Sequence, residues 1–311
     1  MRITAAIRLA VKTLLSKNQG ENILVIWVMQ LKEATMKQYY EGWYMKQQQD
    51  SDVLAVIPGR AQNEAFVQVI TPKDSYYVPY SLESYSLNGA MKVGNNVFTP
   101  EGMDVAISTD ELELYARVRY EDLSPLRYDI MGPFALLPME TKHTVFSMRH
   151  RVRGDMLING KDICFGNGIG YMEGDRGHSF PQGYTWIQST DFGDDTSVML
   201  AIASIPFGLV KFTGCIAVVY FEGREYRFAT YLGVHIVNND DRYVEVRQGD
   251  MCLHVQLLGE QGHLLQAPVL GEMDRQIKEN PAVPARIVFE KKKQRLIDAI
   301  CPNTSFEYVQ A

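Results

Sequence analysis

The sequence predicts an all-β protein of two lobes, each a barrel or sandwich, with few short helices. Three observations carry this expectation. Apolar and polar residues alternate with a period of two over most of the chain after residue 50, the pattern of strands with one buried face. Turn pairs such as Asn88-Gly89, Asn159-Gly160 and Glu222-Gly223 stand between such runs and suit hairpins. At 311 residues, 46% of them hydrophobic, the chain exceeds what one small barrel needs and can fill two cores.

The chain opens differently. Ile3, Ala6, Ile7, Ala10, Val11, Leu14 and Leu15 recur at helical spacing, with Arg2, Arg8, Lys12 and Lys17 on the other face. Residues 1–35 therefore read as a basic amphipathic N-terminal extension. Such a helix can dock on the folded body or contact an anionic membrane surface peripherally. It can also reflect an upstream start, with the folded protein beginning near Met36. The location expected is cytoplasmic, at the membrane periphery in the second case.

Residues 36–150 are expected to form the first β lobe. Strands are read at residues 65–70 and 103–107, and in Leu112, Leu114, Ala116, Val118 and Tyr120, which alternate with Glu113, Tyr115, Arg117 and Arg119. Residues 151–311 are expected to form the second lobe, the two meeting near residues 145–160. Its strands are read at residues 184–190, 197–204, 212–221, 225–232, 251–257 and 285–290. Residues 271–280, stopped by Pro281, read as an internal helix.

Several function classes are set aside. With 31 basic and 37 acidic residues the formal charge is −6, so no global field favours nucleic acid. The longest apolar run, residues 23–29, falls far short of the roughly 18 residues of a membrane-spanning helix. Cys164, Cys215, Cys252 and Cys301 lie far apart without a C-x-x-C pair, so reduced thiols are expected rather than a disulfide scaffold or zinc site. The histidines show no H-E-x-x-H spacing. Gly166-Asn167-Gly168-Ile169-Gly170 is glycine-rich, but Tyr171 stands where the dinucleotide fingerprint needs its last glycine. No metal and no cofactor are expected.

The chemistry-bearing stretch is residues 166–188. If Tyr171 to Asp175 is extended, then Tyr171, Glu173 and Asp175 point to one face. Two carboxyls that close in an apolar cavity cannot both ionise cheaply, and the protonated one is a general acid. Arg176 then points away; if the chain bulges at Gly174, it pairs with an acid and keeps it ionised. Asp175 is the preferred donor, its short side chain being held between Gly174 and Gly177. Glu140 and His143 form a second cluster, their spacing fixing no shared face. Tyr40 and Trp43, in an aromatic opening to the folded region, could wall a lipid pocket.

YYEGWYMK at 39–46, IPG at 57–59, GPFALLPME at 132–140, GYMEGDRGHSFP at 170–181, YTWIQ at 184–188, FATYLG at 228–233 and APVLGEMDRQI at 267–277 occur in the order seen in the tocopherol cyclase family, which the chain resembles from about residue 38 onward. The resemblance implies a lipocalin-like two-lobed architecture. It also implies cofactor-free cyclisation of a prenylated hydroquinone, or hydration of a related isoprenoid-like lipid; the alternative is a lipocalin-like carrier of hydrophobic small molecules. Carried over to this sequence, it places Asp175, Glu173, Tyr171, His143 and Glu140 in catalysis, with Tyr40, Trp43, Phe180 and Trp186 against the substrate. Arg176 stands where the family has a tryptophan, and Thr141-Lys142 interrupts the family's MECYH.

Overall fold

The computed structural model describes residues 39–310, apart from Pro138, Asp194, Gly208, Leu209, Glu260 and Gln261. The basic extension at residues 1–35 lies outside the described residues. Helix is limited, among those described, to the single 3-10 turns Leu82–Ser84, Gly132–Leu136 and Thr230–Leu232. Among the described residues no helix is long and apolar enough to cross a membrane.

The first sheet begins with β1 (Tyr40–Gln49), β2 (Asp52–Arg60), β3 (Glu64–Ile70) and β4 (Ser75–Ser81). It continues through β5 (Tyr85–Asn88), β6 (Ala90–Val93), β7 (Asn96–Thr99), β8 (Gly102–Ser108) and β9 (Glu113–Glu121). Two long strands complete it, β10 (Thr141–Ile158) and β11 (Lys161–Gly177). Their spatial order is β4-β3-β2-β1-β11-β10-β9-β8-β7-β6-β5, a sheet curled nearly into a barrel.

The second sheet holds β12 (Tyr184–Ser189), β13 (Ser197–Phe207), β14 (Val210–Phe221), β15 (Arg224–Ala229) and β16 (His235–Asn239). It is completed by β17 (Tyr243–Gln248), β18 (Met251–Leu257), β19 (His263–Val269), β20 (Glu272–Lys291) and β21 (Gln294–Val309). Here β12 lies beside β21, so the last strand closes against the first of its lobe.

Each sheet wraps its own core. Met45, Val56, Phe98, Val118 and Phe165 belong to the first, and Ile187, Leu200, Phe228, Leu253 and Phe306 to the second. A third apolar cluster joins Tyr44, Val145 and Tyr171 of the first sheet to Trp186, Met199, Val218 and Ile277 of the second. The middle strands of the two sheets thus pack back to back and lose their wet faces; β12 is buried at all six of its residues. Burial on both faces explains why residues 198–203 and 215–221 read as unbroken apolar runs rather than alternating ones, while β12 keeps Thr185, Gln188 and Ser189.

Two expectations are corrected. The sheets part between Gly177 and Tyr184, so the boundary drawn at 150/151 falls inside β10, and β11 pairs with β1 and β10 of the first sheet. Residues 271–280 are not helical but open β20. Leu270 (φ 50) and Gly271 (φ 84) make the tight turn from β19, a left-handed pair that favours glycine. Beyond it Met273, Ile277 and Glu279 are buried while Glu272, Asp274, Gln276 and Lys278 are exposed. Pairing with β19 imposes that period of two on a charged, helix-favouring stretch. Pro281 sits where the β20–β21 register shifts, the place a sheet tolerates proline.

Candidate active site

β11 runs between β1 and β10, and its register sets the site. His143 is the cross-strand partner of Asp175, Val145 that of Glu173, and on the other side Tyr44 opposes Glu173 and Gly42 opposes Asp175. Along residues 169–177 the pairing with β1 is unbroken. Tyr171, Glu173 and Asp175 therefore share the face turned toward the second sheet, and Arg176 is exposed on the other. The bulge at Gly174 that would turn Arg176 onto an acid is absent, and Arg176 stands off the cavity wall.

The three polar groups form a compact unit. His143 Nδ1 lies 2.9 Å from Asp175 Oδ1, and Nε2 lies 3.2 Å from Glu173 Oε2, off the line of a good hydrogen bond. Glu173 Oε2 accepts from Trp186 Nε1 at 3.2 Å and from the Tyr171 hydroxyl. His143 and Glu173 are 8% and 4% exposed, and the Asp175 side chain 24%. Burial acts to lower the His143 pKa, but the charges of Glu173 and Asp175 outweigh it and hold the imidazole well above its ordinary range. His143 is thus an imidazolium at neutral pH, donating through Nδ1 to Asp175. Asp175 Oδ2 has no hydrogen-bond partner among the described residues.

Glu173, Asp175 and His143 line a cavity of about 190 Å³, several times the roughly 30 Å³ share of one water. Its walls come from both sheets: Tyr40, Trp43, Tyr44 and Phe66 from the first, Tyr184, Trp186, Ile202 and Ile277 from the second, and Phe180 between them. The rings touch in series. Tyr40 and Phe180 lie 5.4 Å apart, Phe180 and Tyr184 5.8 Å, Tyr44 and Trp186 5.0 Å. Trp43 reaches the cavity while packing on Phe146.

Of the residues singled out from sequence, Tyr40, Trp43, Phe180 and Trp186 all line this cavity, as does Glu140. Glu140 stands outside the His143 unit and makes none of its contacts. Tyr171 is fully buried behind Glu173 rather than on the wall.

Two lining carboxyls escaped the sequence reading. Glu279 on β20 and Glu307 on β21 are cross-strand partners, and they receive hydrogen bonds from Tyr44 (2.7 Å) and Tyr184 (2.6 Å) respectively. The available signal was a glutamate at an inward position of an alternating strand, as in Phe306-Glu307-Tyr308. The ligating atoms of His143, Glu173 and Asp175 lie within 4.8 Å of one another, a donor set able to hold a cation. Glu245, Cys252 and His254 form a similar trio in the second sheet, but Arg247 already occupies Glu245 at 2.6 Å.

No family model and no curated protein matches the chain. Among solved structures, CghA with Sch210972 is similar, with a TM-score of 0.58 at 9% identity over 88% of this chain and 89% of that one. CghA alone gives 0.56 at 8% identity over 88% and 89%. Kievitone hydratase from Nectria haematococca gives 0.51 at 10% identity over 87% and 88%. The two-lobed β fold is what these chains share.

Proposed function

We propose that the chain is an acid catalyst acting on an isoprenoid-like lipid, as in the tocopherol cyclase family. It protonates a trisubstituted double bond, and an oxygen nucleophile captures the tertiary carbocation. A hydroxyl of the same molecule gives cyclisation; water gives hydration. The observation that carries this reading is an Asp175 with one unpartnered oxygen, backed by His143, lining an aromatic-walled cavity between the two sheets. The name of kievitone hydratase, which shares the fold, supports it, as do the ordered motifs from residue 39 to 277.

Asp175 is the proton donor. It donates from the state in which its free Oδ2 has taken a proton while the Glu173 charge keeps His143 protonated. That O–H bond breaks as a C–H bond forms on the substrate, and the carboxylate left behind is met by the Nδ1–H of the His143 imidazolium. A positioned cation at the atom where charge develops stabilises the transition state without reorganisation. Glu173 Oε2 already accepts from Tyr171 and Trp186, so Glu173 anchors His143 rather than donating. The rings of Tyr40, Phe180, Tyr184 and Trp186 offer π faces to the carbocation, each desolvated contact being worth about 2 kcal/mol.

Incubation with a geranyl-substituted hydroquinone in heavy water, followed by mass spectrometry, tests the reading. The expected product carries carbon-bound deuterium, and a chelator leaves the rate unchanged, which separates acid catalysis from cation-assisted chemistry at the same donors. Tight binding with unchanged substrate at every pH overturns the enzyme reading.

A further inference from the structure

We propose that Glu279 and Glu307 form a proton-sharing carboxyl pair on the second-sheet wall of the cavity, which binds the hydroxyl of an otherwise apolar ligand and takes its proton as that oxygen bonds to the carbocation. The inference rests on the function proposed above and supplies its missing base.

The geometry makes the pair. The two glutamates face each other across β20 and β21, 0% and 8% exposed. Tyr44 fixes Oε1 of Glu279 and Tyr184 fixes Oε2 of Glu307. Glu279 Oε2 is buried without a donor, and the Glu279 and Glu307 carboxyls interact with each other. Two carboxyls held together cannot both ionise cheaply, so the pair keeps a proton, and in its singly protonated state it carries one negative charge beside that proton. That composition can both donate a hydrogen bond to a hydroxyl oxygen and accept its proton.

The surrounding charges agree. Burial pushes Glu279 up to about 7, against the hydrogen bonds of Tyr44 and Glu307 and the charge of Lys46, with Glu173 reinforcing burial. Glu307 is pushed well above the carboxylate range by burial and by Glu279, with Tyr184 opposing. The groups facing the pair are thus Tyr44 and Lys46 from β1, Glu173 from β11 and Tyr184 from β12. Lys46, fully buried, is lowered to about 7 by burial, with Glu279 and Asp191 opposing.

A hydrogen-bonded route leads away from the pair. Tyr44 lies 3.1 Å from Ser305 Oγ, which accepts from Lys46 Nζ at 2.9 Å. Lys46 Nζ also donates to the carbonyl of Asn303 at 2.7 Å, and Asn303 reaches the exposed turn at Asp50. In the full cycle the Asp175 proton goes to carbon and the substrate O–H proton goes to the Glu279–Glu307 carboxylate as the C–O bond forms. The pair then sheds that proton when product leaves and water enters the cavity, and solvent reprotonates the partly exposed Asp175.

Infrared difference spectroscopy reads the pair without turnover. At neutral pH the full chain is expected to show a protonated-carboxyl carbonyl stretch that Glu279→Gln or Glu307→Gln removes and Tyr184→Phe shifts. Geranyl-hydroquinone should move this band, while its dimethyl ether, bound with equal quenching of tryptophan fluorescence, should not. Glu307→Gln should slow turnover by about 10²-fold, the scale of one general acid–base group. Absence of the band, or failure of the hydroquinone to move it, overturns the proposal. A band that moves without any product formed retires the proposed reaction and leaves the pair standing as a hydroxyl-binding site.

Discussion

Asp175 and Glu173 are two residues apart on one strand and share one histidine, yet their oxygens are committed differently. Asp175 spends Oδ1 on His143 and keeps Oδ2 free, whereas Glu173 Oε2 is surrounded by Tyr171, Trp186 and His143. Asp175→Asn should therefore lower turnover by about 10²–10⁴ with the substrate's binding constant little changed. Glu173→Gln should mainly disturb His143, seen as an acid shift of its titration by NMR, because one of the two charges holding the imidazolium is gone. Full activity of the Asp175 variant would move the donor role to Glu140. The pH dependence of stability has a definite sign for each raised group. Glu279 rises from 4.5 to about 7, so the protonated folded state is favoured below 4.5 and its advantage disappears as pH climbs through 7. The stability difference between wild type and Glu279→Gln should fall by about 3 kcal/mol at most over that window and stay flat above it. For His143 the same sign applies in a higher window: wild type minus His143→Gln is constant below about 6.5 and falls above it. Urea unfolding across pH checks both, and a difference that rises with pH contradicts the assigned shifts.

At the scale of elements, β11 does most of the positioning, and it depends on glycines that bring neighbouring strands close. A Cβ on Gly177 would lie 2.0 Å from the carbonyl oxygen of Glu140, a backbone atom that moves only with β10. Gly177→Ala should cost about 1–3 kcal/mol by urea unfolding. It should lower activity more than stability explains, since β10 carries His143; an unchanged enzyme would show that the register tolerates the shift. What the sequence could reveal about this element follows from its period. The shared face of Tyr171, Glu173 and Asp175 needed only alternation, which survives in an extended strand. The 271–280 stretch was misread because Glu272, Asp274, Arg275 and Lys278 are as compatible with a helix as with an exposed strand edge. The Leu270–Gly271 turn and the pairing with β19 decide between them, and neither is a property of that window. Glu279 and Glu307 stayed hidden for a related reason. Their pairing is set by the register of β20 on β21, with shifts between Asn280 and Val283 and between Val283 and Ala285, which no local spacing encodes.

At the scale of the molecule, the cavity exists because two sheets bury their outer faces against each other. Lys46, Gln48, Gln188, Ser305, Glu279 and Glu307 are buried in that layer between the lobes, where a lone lobe would leave them in water. Polar residues on nominally outer strand faces read in sequence as solvated positions, so two lobes were legible and their contact was not. The same layer contains the site from both sides, which ties ligand binding to the joint stability of the lobes. Among the described residues the three apolar clusters are assembled from residues beyond Tyr40. Each lobe's core and the layer between them thus lie in the body that begins at Tyr39. A chain starting at Met36 should accordingly keep its melting temperature within a few degrees of the full chain, the shift that about 1 kcal/mol produces at this size. It should also retain the quenching of tryptophan fluorescence by geranyl-hydroquinone, because Trp43 and Trp186 line the cavity from within the body. Aggregation, or loss of the cooperative transition, would show that residues 1–35 cover an apolar face of the lobes. Normal melting with weaker uptake of the ligand from vesicles alone would assign them to membrane contact.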